Sequence, residues 1–174
     1  MTYTNMLILK MVIKFIGILN KDASPREIAG GMALGFIAGM TPLASLHNLL
    51  VLFLVIILRV NITAGIFAVG IFSGVAYLFD PLSNKIGYAL LTMPGLKGIW
   101  TSLYNMPVIN WSRFNNTLTL GSLVLSLVLF YPVLVALRWG VVKYREKVMT
   151  AVQKSRLMTI WKGSSLFSLY QRFS

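Results

Sequence analysis

The sequence predicts an all-α integral membrane protein, and three observations lead there. Of its 174 residues, 57% are hydrophobic and only 11% are charged, whereas a soluble domain carries about 25% charged residues to clothe its core. Residues 117–137 run the length of a full crossing without a charge. The basic residues are also unevenly placed. The net charge of +12 comes from 16 Lys and Arg against four acids, and the cations gather towards the two ends of the chain. In a soluble protein that excess would suggest nucleic acid. In a chain this apolar it follows the positive-inside rule, so no nucleic-acid partner is expected. The expected architecture is a set of short, broken or re-entrant helices, one full transmembrane helix, and amphipathic helices at both termini.

Residues 1–23 are read as an interfacial amphipathic helix. Lys10, Lys14, Gly17 and Lys21 lie four, three and four residues apart, on one helical stripe. At the centre of a span each lysine would cost about 2.5–3.5 kcal/mol, whereas in the interface they face headgroups.

Residues 24–92 form a glycine-rich membrane unit with broken helices. Ser24, Pro25 and Glu27 make a helix start: a capping hydroxyl, a proline in the first turn, and a glutamate three residues after the cap. A single helix over 25–58 would measure ~50 Å, too long for a hydrocarbon core of ~30 Å. Thr41 and Pro42 divide it into two pieces, each too short to cross, which predicts a hairpin corner shielded from lipid. Gly31, Gly35 and Gly39 recur every fourth residue, and Gly70 and Gly74 repeat that spacing. Small residues so placed let another helix approach closely. The segments 33–39 and 68–74 also form a weak repeat, of the kind found in inverted-repeat membrane proteins. Asp80-Pro81 is read as a second break.

Residues 93–116 are expected to be an interfacial segment and loop, opened by Met93-Pro94-Gly95 and marked by Trp100, Tyr104 and Trp111. Residues 117–139 are the transmembrane helix, with Pro132 as a kink site. Residues 140–174 are read as a basic amphipathic cytoplasmic tail on the anionic leaflet, with Val141, Tyr144, Val148 and Val152 on its apolar face.

Little in the sequence supports chemistry. Without cysteine there is no disulfide, thiol nucleophile or Cys-ligated metal. One histidine and four acids build no metal site and no acid–base pair with a nucleophile. No enzyme activity, metal or cofactor is expected. Polar groups in apolar segments still carry a functional prior. The candidate lipid or ion contacts are Arg26, Glu27, His47, Asn48, Arg59, Asn61 and Asp80. Each has a plainer reading. Glu27 completes the cap, Arg26 sits at the cytoplasmic interface, His47 and Asn48 bond within the packing, Arg59 and Asn61 anchor the far interface, and Asp80 forms a turn with Pro81.

The pattern Ser24-Pro25-Arg26-x-Ile28-Ala29-x-Gly31-x-Ala33-x-Gly35-x-x-x-Gly39-x-x-Pro42, followed by Leu58-Arg59-x-Asn61-x-x-Ala64, resembles a bacterial inner-membrane family labelled as a domain of unknown function. Members of that family occur alone or fused to glycosyltransferases. The resemblance covers about residues 24–88, and where many members carry Asn-Pro this chain has Asp80-Pro81. Small members associate with large periplasmic proteins of the AsmA-like lipid-transfer type, which makes lipid transport the expectation here.

The expected function is therefore a non-enzymatic inner-membrane subunit of a larger membrane or periplasmic protein. It would be multi-pass, with both termini cytoplasmic and in contact with anionic lipids. A homo-oligomeric transporter or lipid flippase using Asp80 or His47 is the first alternative, and a structural membrane anchor the second.

Overall fold

The computed structural model describes residues 23–107 and 109–154, and all of its regular elements are helical. The first 22 residues of the expected interfacial helix, and the tail beyond 154, lie outside the described residues.

Helix α1 spans Pro25–Met40. It starts as the cap residues dictate: Ser24 Oγ accepts the Glu27 N–H at 3.2 Å and donates to Glu27 Oε1 at 3.0 Å. Almost all of α1 beyond its first turn is buried, with Ile28, Ala29 and Ala33 at 0% exposure. A helix that is apolar all round needs neighbours or lipid on every side, and here helices of the same chain supply them. Three elements surround α1: α2 (Leu46–Ile57), α3 (Ile62–Thr92) and α5 (Thr117–Lys154).

Glycines set how closely α1 meets α3. A Cβ at Gly31 would overlap the carbonyl oxygen of Asn61, and one at Gly35 would overlap that of Gly65. At Gly39 it would come within 2.9 Å of the Val69 carbonyl and of Phe72 Cβ. The contacts advance together along both helices, so α1 and α3 run parallel. The similar segments 33–39 and 68–74 thus lie side by side in one direction and are not related by inversion. Gly70 and Gly74 do not join this contact, since nothing lies within 4 Å of a Cβ on either. The inward face of α3 carries Asn61, Ala64, Gly65, Ala68 and Phe72, three or four residues apart. Gly70 and Gly74, two residues beyond Ala68 and Phe72, turn to the other side.

After the Thr41–Ser45 corner the chain returns along α2, and the Asn61 N–H bonds to the Glu27 carbonyl at 3.0 Å. The end of α2 therefore lies beside the start of α1. This corrects the expectation that Arg59 and Asn61 mark the far interface: they share one end of the molecule with Arg26 and Glu27. The hairpin is asymmetric. On α2 only Val51 and Val55 are buried, while Leu49, Leu50, Leu52, Phe53, Ile56 and Ile57 are all more than half exposed.

Helix α3 then runs the full length of the molecule. It passes through Pro81 without breaking, contrary to the sequence expectation. Proline removes one helical donor, but contacts on both sides of it hold the helix in line. Beyond Pro81, a Cβ on Gly87 would overlap the Thr117 carbonyl, and one on Gly121 would overlap that of Ser83. These two glycines clamp α3 to the antiparallel α5. Thr117 Oγ1 also donates to Asn84 Oδ1 at 2.8 Å.

Between α3 and α5 lie a 3-10 turn at Pro94–Leu96, a short helix α4 (Lys97–Tyr104) and a second turn at Ile109–Ser112. Trp100 Nε1 ties α4 to the Leu90 carbonyl at 2.9 Å. Asn116 Oδ1 caps α5 by accepting the Thr119 N–H at 3.1 Å. The expected boundary between transmembrane helix and tail is no break, because α5 is continuous to Lys154. Val141, expected on a leaflet-facing stripe, is instead buried in one cluster with Ile28, Met32, Ala64 and Ala68, and Tyr144 packs against it. Arg145 Nη2 donates to the Ala23 carbonyl at 2.7 Å, so the later part of α5 passes the start of α1.

Two helices, α3 and α5, are long and apolar enough to cross a membrane. Sequence reasoning identified one helix of that length, because Asp80-Pro81 disguised the other.

Candidate functional site

Two places concentrate the polar groups of this apolar molecule. One is the end where α1 and α3 begin and α5 nears its finish. It carries Arg26, Glu27, Arg59, Lys143, Arg145 and Lys147. The backbone of Arg59 is left-handed, with φ 51°. That conformation closes helix C-termini and suits glycine, while costing other residues about 1 kcal/mol or more. Asn61 is occupied structurally, as its Oδ1 accepts the Ala64 N–H at 2.8 Å and caps α3. Glu27 is likewise engaged in its cap. Arg26 and Arg59 are exposed side chains at this end. The opposite end carries Lys85, Lys97 and Arg113, so the cationic asymmetry along the helix axes favours the α1 end.

The second place is the hairpin corner. Thr41 Oγ1 donates to the Ile37 carbonyl at 2.9 Å, and also lies 3.1 Å from Asn48 Oδ1. Asn48 Nδ2 donates to the Pro42 carbonyl at 3.0 Å. Ser45 Oγ bonds the Pro42 carbonyl at 2.6 Å and lies 2.9 Å from His47 Nε2. Asn48 and His47 are therefore fasteners of the corner, through bonds within it. The Pro42 and Leu43 carbonyls of the non-helical backbone are thus bonded by side chains of the corner itself.

Beside the corner is a half-open cavity of about 290 Å³, between the end of α1, the middle of α3 and the start of α5. Asp80 lines it together with Thr41, Pro42, Ser73, Tyr77 and Leu118. Ser73 Oγ is shielded from solvent and has no hydrogen-bond partner among the described residues. No cation pairs with Asp80 among the described residues. The corner thus brings Asp80 together with Thr41 and Pro42, which lie 39 and 38 positions before it in sequence. His47 does not line this cavity, and Asn48 lines a second, apolar one of about 220 Å³ between α1, α2 and α3. Sequence reasoning missed Ser73, Tyr77, Gly65, Gly87 and Gly121. The motif Gly-x-x-x-Gly correctly marked Gly31, Gly35 and Gly39, but it also drew attention to Gly70 and Gly74, whereas the other close contacts use Gly65, Gly87 and Gly121, which lie outside any such repeat.

No group of three or more His, Cys, Asp or Glu residues able to hold a metal occurs among the described residues.

A family model described as "Uncharacterized protein conserved in bacteria (DUF2062)" matches residues 14–149. The chain belongs to this family. The DUF2062 match takes in the whole hairpin, all of α3, and α5 as far as residue 149, including the segment that docks against Ala23. The chain is also similar to an uncharacterized protein of Treponema pallidum (strain Nichols). The two are 24% identical over 148 residues, covering 85% of this chain and 91% of that protein. No solved structure matches the chain.

Proposed function

We propose that this DUF2062 protein is a non-enzymatic subunit of the bacterial inner membrane that partners a larger envelope or lipid-transport protein. In this reading α3 and α5 cross the bilayer, both termini are cytoplasmic, and the α1–α2 hairpin enters from the cytoplasmic side and returns to it. The observation that carries the proposal is the length of the hairpin. At helical rise α1 measures ~24 Å and α2 ~18 Å, both short of a ~30 Å hydrocarbon core. The hairpin nevertheless bares large apolar side chains along α2, which only lipid or a protein partner can cover. A short element fixed beside two long ones thins the bilayer locally, and that assists lipid movement to or from a partner.

Partner docking takes a different surface from the one the Gly31, Gly35 and Gly39 spacing suggested, because α3 of the same chain occupies those glycines. The faces left for a partner helix are the lipid-exposed side of α2 and the side of α3 carrying Gly70 and Gly74. Purification in mild detergent under a tag on this chain tests the proposal. A larger membrane or periplasmic protein should copurify at fixed stoichiometry, and recovery of this chain alone contradicts the reading.

A homo-oligomeric flippase is the second reading, favoured by the half-open cavity with Asp80 at its wall. It predicts lipid scrambling in liposomes containing only this chain, with flux lowered by Asp80→Asn; absence of flux removes it.

A further inference from the structure

The groups that meet at the corner cavity share one electrostatic character. Asp80 supplies a carboxylate without a cationic partner among the described residues. Pro81 has no N–H, so the carbonyl of Tyr77, four residues earlier, loses its ordinary helical donor at the cavity wall. Ser73, on the same wall, carries a hydroxyl that is shielded from solvent and has no partner among the described residues. Helix α1 ends at the cavity, at Gly39 and Met40. The last carbonyls of a helix lack internal donors and carry the negative end of its dipole. The corner hydrogen bonds reach the carbonyls of Ile37, Ala38, Pro42 and Leu43. Among the described residues none reaches those of Gly39 or Met40. No Lys, Arg or His lines the cavity, and its remaining walls include Leu43, Ala76 and Leu118.

An arrangement of acceptors with an unpaired carboxylate, set in apolar walls at membrane depth, is costly when empty. A cation with several N–H donors and an apolar body satisfies it. We infer that the corner cavity binds the ammonium group of an ethanolamine phospholipid, with Asp80 as its counter-ion and the Tyr77 carbonyl as a further acceptor. The lipid comes from the leaflet opposite the Arg26–Arg59 end, because α1 points its C-terminus that way. A lipid is favoured over a free metal ion because the cavity is half-open and mostly apolar, whereas a desolvated metal ion needs a closed shell of oxygens. The inference requires the chain to sit in a bilayer but requires no partner protein.

The test uses the full chain in nanodiscs of equal parts phosphatidylethanolamine and phosphatidylglycerol. Lipids retained after transfer to detergent are read by native mass spectrometry. The wild-type chain should retain phosphatidylethanolamine at least tenfold over phosphatidylglycerol. Asp80→Asn, which keeps shape and removes charge, should abolish that preference with thermal unfolding unchanged. Ala76→Leu, which narrows the cavity and leaves the carboxylate, should abolish it as well. Equal retention of the two lipids by the wild-type chain overturns the inference, and so does a preference that survives both substitutions. Displacement by excess sodium but not by excess methylammonium also overturns it, since the site would then select a metal ion. Loss of partner copurification without loss of lipid preference leaves this site standing and removes only the subunit proposal.

Discussion

A methyl group added at Gly35 and one added at Gly70 meet opposite surroundings. At Gly35 it collides with the backbone of Gly65, which cannot step aside as a side-chain tip would. At Gly70 it meets nothing within 4 Å. Gly35→Ala should therefore destabilise the protein by about 3 kcal/mol through forced helix separation. Gly70→Ala should be neutral or stabilising by up to about 1 kcal/mol, since alanine is the better helix former. Thermal unfolding in detergent separates the two. Arg59 offers a test of the opposite sign. Its left-handed backbone favours glycine, so Arg59→Gly should raise stability by roughly 1 kcal/mol while removing a cation from that end. A lower melting temperature in that variant would mean that the side chain contributes more than its backbone costs, in keeping with strain held where a side chain is needed.

At the scale of elements, the corner and the clamp hold the fold in different ways. The corner depends on Asn48, which reaches both Thr41 and the Pro42 carbonyl. Asn48→Ala should cost about 1–3 kcal/mol by leaving these groups unpaired. Because α2 buries little else, the loss should appear first as increased hydrogen exchange in α2, with α3 and α5 protected. Uniform loss of protection would show that α2 opens only with the whole molecule. Much of α1 was legible in the sequence, because Ser24, Pro25 and Glu27 form a cap by local chemistry and a glycine every fourth residue marks a face. The corner at Thr41-Pro42 was legible for the same reason. Pro81 misled, because a proline is a local signal and the Gly87–Gly121 contact that carries α3 past it is not local. The cavity was half legible. Asp80 was marked by its charge, but Ser73 and Tyr77 are ordinary residues of an apolar run until the fold sets them beside the corner.

At the scale of the whole molecule, one short helix sits in the middle of a bundle, packed against three others, two of which are long and apolar enough to cross a membrane. The start of α1, the turn after α2 and the α5 segment around Arg145 all meet at one end. The proposed membrane topology rests on that meeting, and the absence of native cysteine makes it directly measurable. Single cysteines at Arg26, Arg59 and Lys97 would be labelled with a membrane-impermeant maleimide in intact cells and in inverted vesicles. Arg26→Cys and Arg59→Cys should react only in inverted vesicles, and Lys97→Cys only in intact cells. Labelling of Arg59→Cys from the same side as Lys97→Cys would contradict the returning hairpin, and with it the arrangement on which the proposed function rests.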